Sequence, residues 1–241
     1  MDTIKINNKG KTLMIAHRGA SLLEKENTYP AFISAGNRTY YGIESDVHKT
    51  IDNKYVIIHD DWTGRVAIDN MEVEKTTYDT LRKLKLLDLD GKKGRNDIRI
   101  PSLEEYISIC KKYDKVAVLE FKNKFEEKEI IEMTEIVKNL DYFDNTIFIS
   151  FCLENLLNLR KNYVDAKAQY LVETVIDDKL IETLEKNKLD LDVLYTLLTK
   201  ENIKQLHSKN IKINCWTVNK KEDAEKLIDL GVDYITTNTL E

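Results

Sequence analysis

The sequence predicts an α/β protein of the (β/α)8 TIM-barrel class, with a small insertion after the second strand. Short apolar runs rich in β-branched residues recur along the chain, and segments with helical periodicity lie between them. The chain has 241 residues, a common length for one such barrel. A doubly wound open sheet is the alternative, and eight strands alternating with helices favour the barrel.

The predicted strands cover residues 13–17, 43–48, 116–120, 147–151, 168–172, 191–195, 211–217 and 234–237. The predicted helices cover residues 28–41, 102–113, 126–140, 153–162, 177–188, 199–209 and 220–230. The segment 55–101 is too long for an ordinary strand-to-helix loop, so we expect it to hold small elements and to lie near the site. We therefore expect one domain over residues 1–241, with an insertion at about 60–99.

Composition and charge exclude several classes of protein. The chain carries 37 Lys and Arg against 42 Asp and Glu, a net charge of −5, which disfavours non-specific binding to nucleic acid or to anionic membranes. The longest stretch without a charged residue, 27–37, is shorter than the roughly 18 residues of a spanning helix. The first residues lack a signal-like apolar core, and three scattered cysteines form no disulfide framework. We expect a cytoplasmic protein without a stable membrane anchor, and its oligomeric state stays open.

The first predicted strand ends in His17-Arg18-Gly19. Active sites of this fold form at the carboxyl ends of the strands, so polar residues there are candidates before any motif is considered. An isolated His-Arg pair is more often a hydrogen-bonded histidine followed by a surface arginine. In a site, His17 would transfer a proton and Arg18 would offer a forked donor to phosphate.

The second predicted strand contains Glu44-Ser45-Asp46. Side chains alternate along a strand, so Glu44 and Asp46 face the same way. Two carboxylates side by side in an apolar strand are costly unless a cation lies between them, and Mg²⁺ and Ca²⁺ prefer oxygen ligands. An edge strand with a solvated acidic face is the alternative. The pair favours a divalent cation site.

The third predicted strand ends in Glu120-Phe121-Lys122, which places Glu120 and Lys122 on one face. An isolated pair of this kind is usually a simple ion pair. Beside the second strand, Glu120 becomes a possible third oxygen ligand and Lys122 a second positive charge for phosphate. A further apolar run ends at His59, so two histidines, three carboxylates and two cations follow strand ends. This combination suits hydrolysis of a phosphate ester.

A series of short motifs follows these residues in one order. They are His17-Arg18-Gly19, Glu26-Asn27-Thr28, Glu44-Ser45-Asp46, Thr50-Ile51-Asp52, His59-Asp60 with Arg65, Pro101-Ser102-Leu103-Glu104-Glu105, Glu120-Phe121-Lys122, Trp216-Thr217-Val218-Asn219 and residues 231–238. Together they resemble the glycerophosphodiester phosphodiesterase family of the bacterial cytoplasmic type, over residues 13–238. Lys25 replaces the usual proline before Glu26, and Asn53 replaces a common glycine. Asn tolerates left-handed geometry, so we expect that turn to survive.

The resemblance implies hydrolysis of a small-molecule glycerophosphodiester to sn-glycerol 3-phosphate and an alcohol. One divalent cation, Mg²⁺ or Ca²⁺, is then expected on Glu44, Asp46 and Glu120. His17 and His59 are expected to act as acid and base, while Arg18 and Lys122 neutralise the phosphate. Which histidine is the base, whether water or a substrate hydroxyl attacks, and which alcohol is released stay open.

Several residues keep less specific interpretations. Trp216 is a candidate wall for the carbon skeleton of the substrate, and a packing residue at the barrel rim is the equal alternative. His48 shares the parity of Glu44, but we expect it outside the site. His207 is expected on a helix surface. The alternative functions are a barrel phosphodiesterase for another headgroup, a non-catalytic barrel that binds metal and phosphodiester, and a Schiff-base aldolase using Lys122.

Overall fold

The computed structural model describes residues 2–93 and 95–241, and in them eight parallel strands close into a barrel. The strands of the sheet are β1 (Leu13–Ala16), β2 (Gly42–Lys49), β3 (Tyr55–Ile57), β4 (Val116–Phe121), β5 (Thr146–Ser150), β6 (Lys167–Val172), β7 (Asp190–Leu194), β8 (Ile213–Trp216) and β9 (Tyr234–Thr237). Parallel pairing runs from β2 through β4, β5, β6, β7 and β8 to β9. Because β1 pairs with both β2 and β9, the ring is closed. The predicted barrel is confirmed, and the open sheet is wrong.

Helices follow the strands and cover the outside of the barrel. They are α1 (Tyr29–Gly36), α2 (Tyr78–Lys83), α3 (Leu103–Lys112), α4 (Glu127–Asn139), α5 (Leu153–Asn162), α6 (Asp178–Asn187), α7 (Lys200–Ser208) and α8 (Lys221–Leu230). The predicted first helix, 28–41, is too long because the helix ends at Gly36. Gly36 and Asn37 are poor helix formers, and Tyr40 beyond them is buried in the core.

Two apolar layers hold the barrel together, one on each face of the strands. The outer layer lies between strands and helices and contains large buried side chains such as Phe32, Tyr106 and Phe148. The inner layer fills the barrel with Ile15, Val118, Ile147, Ile149, Leu171 and Tyr234. The two layers use alternate residues of the same strands, as the pleat of a strand requires.

The segment after β2 turns back on the sheet before it forms a cluster of its own. β3 runs antiparallel to β2, with Val47 opposite Ile57, and Asn53 in the connecting turn has a φ of +56°. The left-handed turn expected at Asn53 is thus confirmed. Two 3-10 turns, Thr63–Arg65 and Val73–Lys75, and helix α2 follow. Their apolar core comprises Val56, Ile58, Val66, Ala67, Val73, Leu81, Leu84, Leu86, Ile98 and Ile100.

Within the ranges described above, every helix is too short or too polar to cross a lipid bilayer.

Candidate active site

The turn after β1 fixes His17 at the carboxyl end of the barrel. Arg18 has a φ of +55°, and its backbone N–H donates to Oε2 of Glu44 at 2.8 Å. The His17 ring lies with Nδ1 2.7 Å from Oδ1 of Asn238 and Nε2 3.9 Å from Oε2 of Glu44. An amide oxygen only accepts, so this contact places the proton on Nδ1 and leaves the lone pair on Nε2. Burial, reinforced by the charge of Arg18, lowers the pKa of His17 to about 4.

Three buried carboxylates converge beside His17. Glu44 and Asp46 project from β2, and Glu120 lies opposite Asp46 in the neighbouring strand β4. One oxygen from each lies within 4.8 Å of the others. Burial and the charge of Asp46 raise the pKa of Glu44 well above its usual range and that of Glu120 to about 8. The surrounding protein groups therefore do not favour ionisation of all three carboxylates at once.

Two cationic side chains border this cluster. Lys122 Nζ lies 2.9 Å from Oε1 of Glu120 and 3.5 Å from Oδ1 of Asp46. Arg18 Nε lies 3.7 Å from Oδ2 of Asp46. Burial opposes ionisation of Asp46, but Lys122 and Arg18 hold its pKa below the usual range. Asn27 also donates its amide to Oδ2 of Asp46 at 2.7 Å, so Asp46 is the ionised centre of the cluster.

His59 follows β3 and faces the same place from the side of the insertion. Its Nδ1 lies 2.5 Å from Oδ1 of Asp60, and Arg65 donates from Nε to Oδ2 of Asp60 at 2.5 Å. Although burial opposes it, hydrogen bonds from Arg65 and His59 hold the pKa of Asp60 at about 2. Burial lowers the pKa of His59, while the charge of Asp46 limits the fall. Asp60 and Arg65 thus orient the His59 ring.

A small cavity of about 110 Å³ joins these groups at the end of the barrel. It is lined by His17, Arg18, Glu44, His59, Glu120, Lys122, Ile149, Phe151, Leu171, Asp192, Trp216, Thr217 and Thr236. A larger groove of about 770 Å³ opens on the insertion side, where Trp62 and Ile68 are exposed. His59 and Lys122 line both spaces, so the two meet at these side chains.

Comparison with known proteins decides the family. Residues 17–241 match the model of the glycerophosphoryl diester phosphodiesterase family. The chain belongs to this family. A glycerophosphodiester phosphodiesterase of Caldanaerobacter subterraneus is 30% identical over 233 residues, which cover 96% of each chain. The predicted family is confirmed, and with it an enzyme of the phosphoric diester hydrolase class.

Solved structures of this family share the barrel. A phosphodiesterase of Oleispira antarctica, solved with the product sn-glycerol-3-phosphate, superposes with a TM-score of 0.85 at 25% identity, covering 94% of this chain and 92% of that one. A glycerophosphodiester phosphodiesterase of Parabacteroides distasonis gives a TM-score of 0.79 at 27% identity, covering 96% and 94%. The likeness extends over both chains, so the whole barrel belongs to the glycerophosphoryl diester phosphodiesterase fold.

The structure brings all eight predicted site residues to one end of this phosphodiesterase-family barrel. Seven of them line the small cavity; Asp46 lies behind its wall, fully buried. Trp216 contacts Phe151 edge to face, with 5.6 Å between ring centroids, at the cavity rim. The chemical roles of these residues stay predictions.

Two further histidines lie outside the cavity. His48 is fully buried where β2 extends past the barrel under the insertion, with Nε2 3.3 Å from the carbonyl oxygen of His59 and Nδ1 3.4 Å from Glu74. It therefore contacts the backbone of a site residue rather than the cavity. His207 lies on α7 and pairs with Asp233 at 3.0 Å, half-exposed, near the surface as predicted.

Sequence reasoning assigned no site role to four residues that the structure places in or against the site. Asn238, Asp60 and Arg65 were part of the family motifs, but their contacts with the histidines depend on how β9 and the insertion pack. Asp192 lines the cavity from β7. A charged residue within the apolar run Leu191-Asp192-Val193 was the same signal that identified Glu44 and Asp46, and it could have identified Asp192.

Proposed function

We propose that the protein hydrolyses glycerophosphodiesters to sn-glycerol 3-phosphate and an alcohol. The observation that carries the proposal is one cavity lined by two histidines and two cationic side chains beside three buried carboxylates. Hydrolysis of a phosphodiester needs cations that bind the phosphate and groups that transfer protons at the attacking and leaving oxygens. The two cationic side chains and the two imidazoles can meet these needs. The product bound in the Oleispira antarctica relative supports the same substrate class here.

The carboxylates Glu44, Asp46 and Glu120 fit a divalent cation. All their donor atoms are oxygens, they lie within 4.8 Å of one another, and Oδ1 of Asp46 accepts no hydrogen bond from the described residues. These three residues would hold one Mg²⁺ or Ca²⁺. When bound, such an ion supplies positive charge that stabilises the developing charge on the phosphoryl oxygens.

Arg18 and Lys122 bind the remaining phosphate oxygens. Both line the cavity, and both are held by carboxylates that keep their side chains pointing to one place. The fork of Arg18 suits two oxygens of one phosphate, whereas Lys122 acts as a compact charge. Their fixed positions orient the phosphorus between the two histidines.

The hydrogen bonds of the two histidines support different roles for them. His17 keeps Nε2 unprotonated because Asn238 accepts the Nδ1 proton, so His17 is the base that receives a proton from the attacking hydroxyl. His59 has the ionised Asp60 on Nδ1, which opposes the fall in pKa that burial causes and orients the ring, so we assign His59 as the proton donor to the leaving oxygen. His59 also lines the open groove, where a variable alcohol would leave.

The aldolase alternative is disfavoured by the environment of Lys122. Burial opposes the charged form, but Asp46 and Glu120 raise the pKa of Lys122 above its usual value. A Schiff base needs a neutral amine, which these carboxylates disfavour. A non-catalytic binding barrel is disfavoured too, because both histidines have an orienting partner.

The test is release of sn-glycerol 3-phosphate from a panel of glycerophosphodiesters. The protein is stripped with EDTA and assayed before and after addition of Mg²⁺ or Ca²⁺. We expect turnover that metal restores, and a fall of about 100-fold or more in His17→Ala and in His59→Ala. His207→Ala is the matched control and should retain parental turnover. A metal-loaded parent that leaves every diester intact would contradict the proposal.

A further inference from the structure

A polar layer interrupts the apolar interior of the barrel below the site. Gln169, Asp192, Asn214 and Thr236 project from the successive strands β6, β7, β8 and β9, and all four are buried. Asn214 donates to Oε1 of Gln169 at 3.2 Å and to Oδ2 of Asp192 at 3.1 Å. Thr236 donates to Oδ1 of Asn214 at 3.2 Å. This network satisfies one oxygen of Asp192.

The other oxygen of Asp192 is unsatisfied. The residue is 2% exposed, and Oδ1 has neither a hydrogen bond nor an ion pair with any residue the structure describes. A buried carboxylate oxygen without a partner is destabilising, and the apolar Leu171 and Ile149 line the same cavity. Oδ1 of Asp192 is therefore available to accept a hydrogen bond from a bound ligand.

A second unsatisfied group faces the same space. Nε1 of Trp216, on the adjacent strand β8, is buried and donates to no described residue. Asp192 and Trp216 both line the small cavity that also contains His17, Glu44 and Lys122. A cavity of about 110 Å³ is thus lined by an unpaired hydrogen-bond acceptor, Asp192 Oδ1, and an unpaired donor, Trp216 Nε1. One ligand could bind both.

The arrangement of the two spaces indicates which part of a diester enters the cavity. The cavity and the open groove meet at His59 and Lys122, where the proposed phosphate site lies. A diester held there extends one arm into the cavity and the other into the groove. The groove is large and presents the exposed Trp62 and Ile68, so it accepts a variable alcohol. The enclosed arm must be small and able to hydrogen-bond.

We propose that Asp192 hydrogen-bonds a hydroxyl of the glycerol arm through Oδ1, with Trp216 Nε1 donating to the same arm, and thereby selects diesters that carry this hydroxyl. The proposal rests on the proposed function and adds a residue that determines specificity. A hydroxyl both donates and accepts, so it satisfies Oδ1 whether or not the carboxyl is protonated. An alkyl arm would leave Oδ1 unpaired, and a site that loses such a bond discriminates strongly.

The test compares two substrates with the same leaving group. One is the p-nitrophenyl diester of glycerol 3-phosphate, and the other is n-propyl p-nitrophenyl phosphate, which lacks the hydroxyls. Asp192→Leu should lower kcat/KM for the glycerol diester by about 10-fold or more and leave the propyl diester within about 2-fold. Trp216→Phe, which keeps the apolar wall, should show a smaller loss of the same selectivity. Asp192→Asn, which keeps a hydrogen-bonding group of the same size, should restore most of it.

Binding of product separates this role from a structural one. Calorimetry should show weaker binding of sn-glycerol 3-phosphate to Asp192→Leu, with binding of inorganic phosphate unchanged. Equal losses for both diesters, or for both anions, would overturn the proposal and make Asp192 a packing residue. If the parent hydrolyses no glycerophosphodiester, the proposed function fails, while the binding comparison still decides the role of Asp192.

Discussion

Arg65 and Glu26 lie 39 residues apart in the chain and form a two-point ion pair across the mouth of the site. Nη1 of Arg65 lies 2.6 Å from Oε2 and Nη2 lies 2.9 Å from Oε1 of Glu26. Arg65 also binds Asp60, the partner of His59, and Glu26 also accepts from Nη1 of Arg18 at 3.0 Å. This ion pair thus links the insertion to the turn after β1. It also joins Asp60, which orients His59, to Glu26, which holds the phosphate-binding Arg18.

Breaking this bridge should impair catalysis more than folding. Arg65→Gln removes the fork that orients Asp60, so we expect kcat to fall about 10-fold, and Arg65→Lys should recover only part because a point charge cannot make both contacts. Steady-state kinetics at saturating metal measure the effect. Arg95→Gln is the matched control, since Arg95 is an insertion arginine that pairs with Glu24 and Asp97 instead. Similar losses in the Arg65→Gln and Arg95→Gln variants would refute a specific role of the bridge.

The contact between Asn238 and His17 predicts a shift in pH dependence. Asn238→Asp places a carboxylate on Nδ1, which raises the pKa of His17 from its low value of about 4. The base must be unprotonated, so the acidic limb of kcat/KM should move to higher pH by about one unit or more.

A second variant checks orientation separately. Asn238→Ala removes the acceptor, and we expect kcat to fall about 10-fold or more because the ring loses its preferred tautomer. Asn162→Ala, on the exposed face of α5, serves as the control. An acidic limb that stays in place in Asn238→Asp would show that the titrating base is another group.

Most of the fold follows from local patterns in the sequence. The eight barrel strands were predicted because short apolar runs alternate along the chain with segments of helical periodicity. β3 was indicated only by the apolar run that ends at His59, and α2 was not predicted as an element, since three and six residues carry too little periodicity. Their stability comes instead from the small insertion core around Val56, Leu81 and Ile98, which only packing reveals.

The site was predictable where a residue and its chemistry lie on the same strand end. Glu44 and Asp46 share one face by alternation alone, and the structure keeps them together. Asn238 is different, because it lies 221 residues from His17 and reaches it only when β9 pairs with β1. Ring closure therefore creates contacts that no local pattern encodes.

The carboxylate cluster predicts how metal and pH together affect stability. In the metal-free protein the pKa of Glu120 is raised to about 8, and that of Glu44 is raised as well. The folded state then retains protons that the unfolded state has already released, so stability falls as pH rises from about 4.5 through 8. Bound cation replaces those protons. The increase in Tm produced by Mg²⁺ or Ca²⁺ should be larger at pH 8 than at pH 5.5.

Thermal unfolding with and without metal at both pH values measures this difference. Glu120→Gln is the informative control. The amide cannot bind or release the proton that Glu120 retains, and it removes one negative charge from the metal site. Its Tm without metal should fall less with rising pH, and metal should raise it less. An equal increase in Tm at both pH values would contradict linkage between protons and cation at this cluster.

Gly19 should be intolerant of even the smallest side chain, for two separable reasons. Its φ is +80°, and a Cβ there would lie 2.8 Å from the backbone carbon of Ala31 in α1. Gly231 at the end of α8 has a similar φ of +91°, but nothing lies within 4 Å of its Cβ position. Gly231→Ala should therefore cost about 1 kcal/mol from backbone strain alone, and Gly19→Ala about 2–4 kcal/mol from strain and the clash together. Urea unfolding of the two variants isolates the clash as their difference. Equal losses would mean that α1 moves to accommodate the methyl group, and the turn that holds His17 and Arg18 would then be less rigid than its contacts imply.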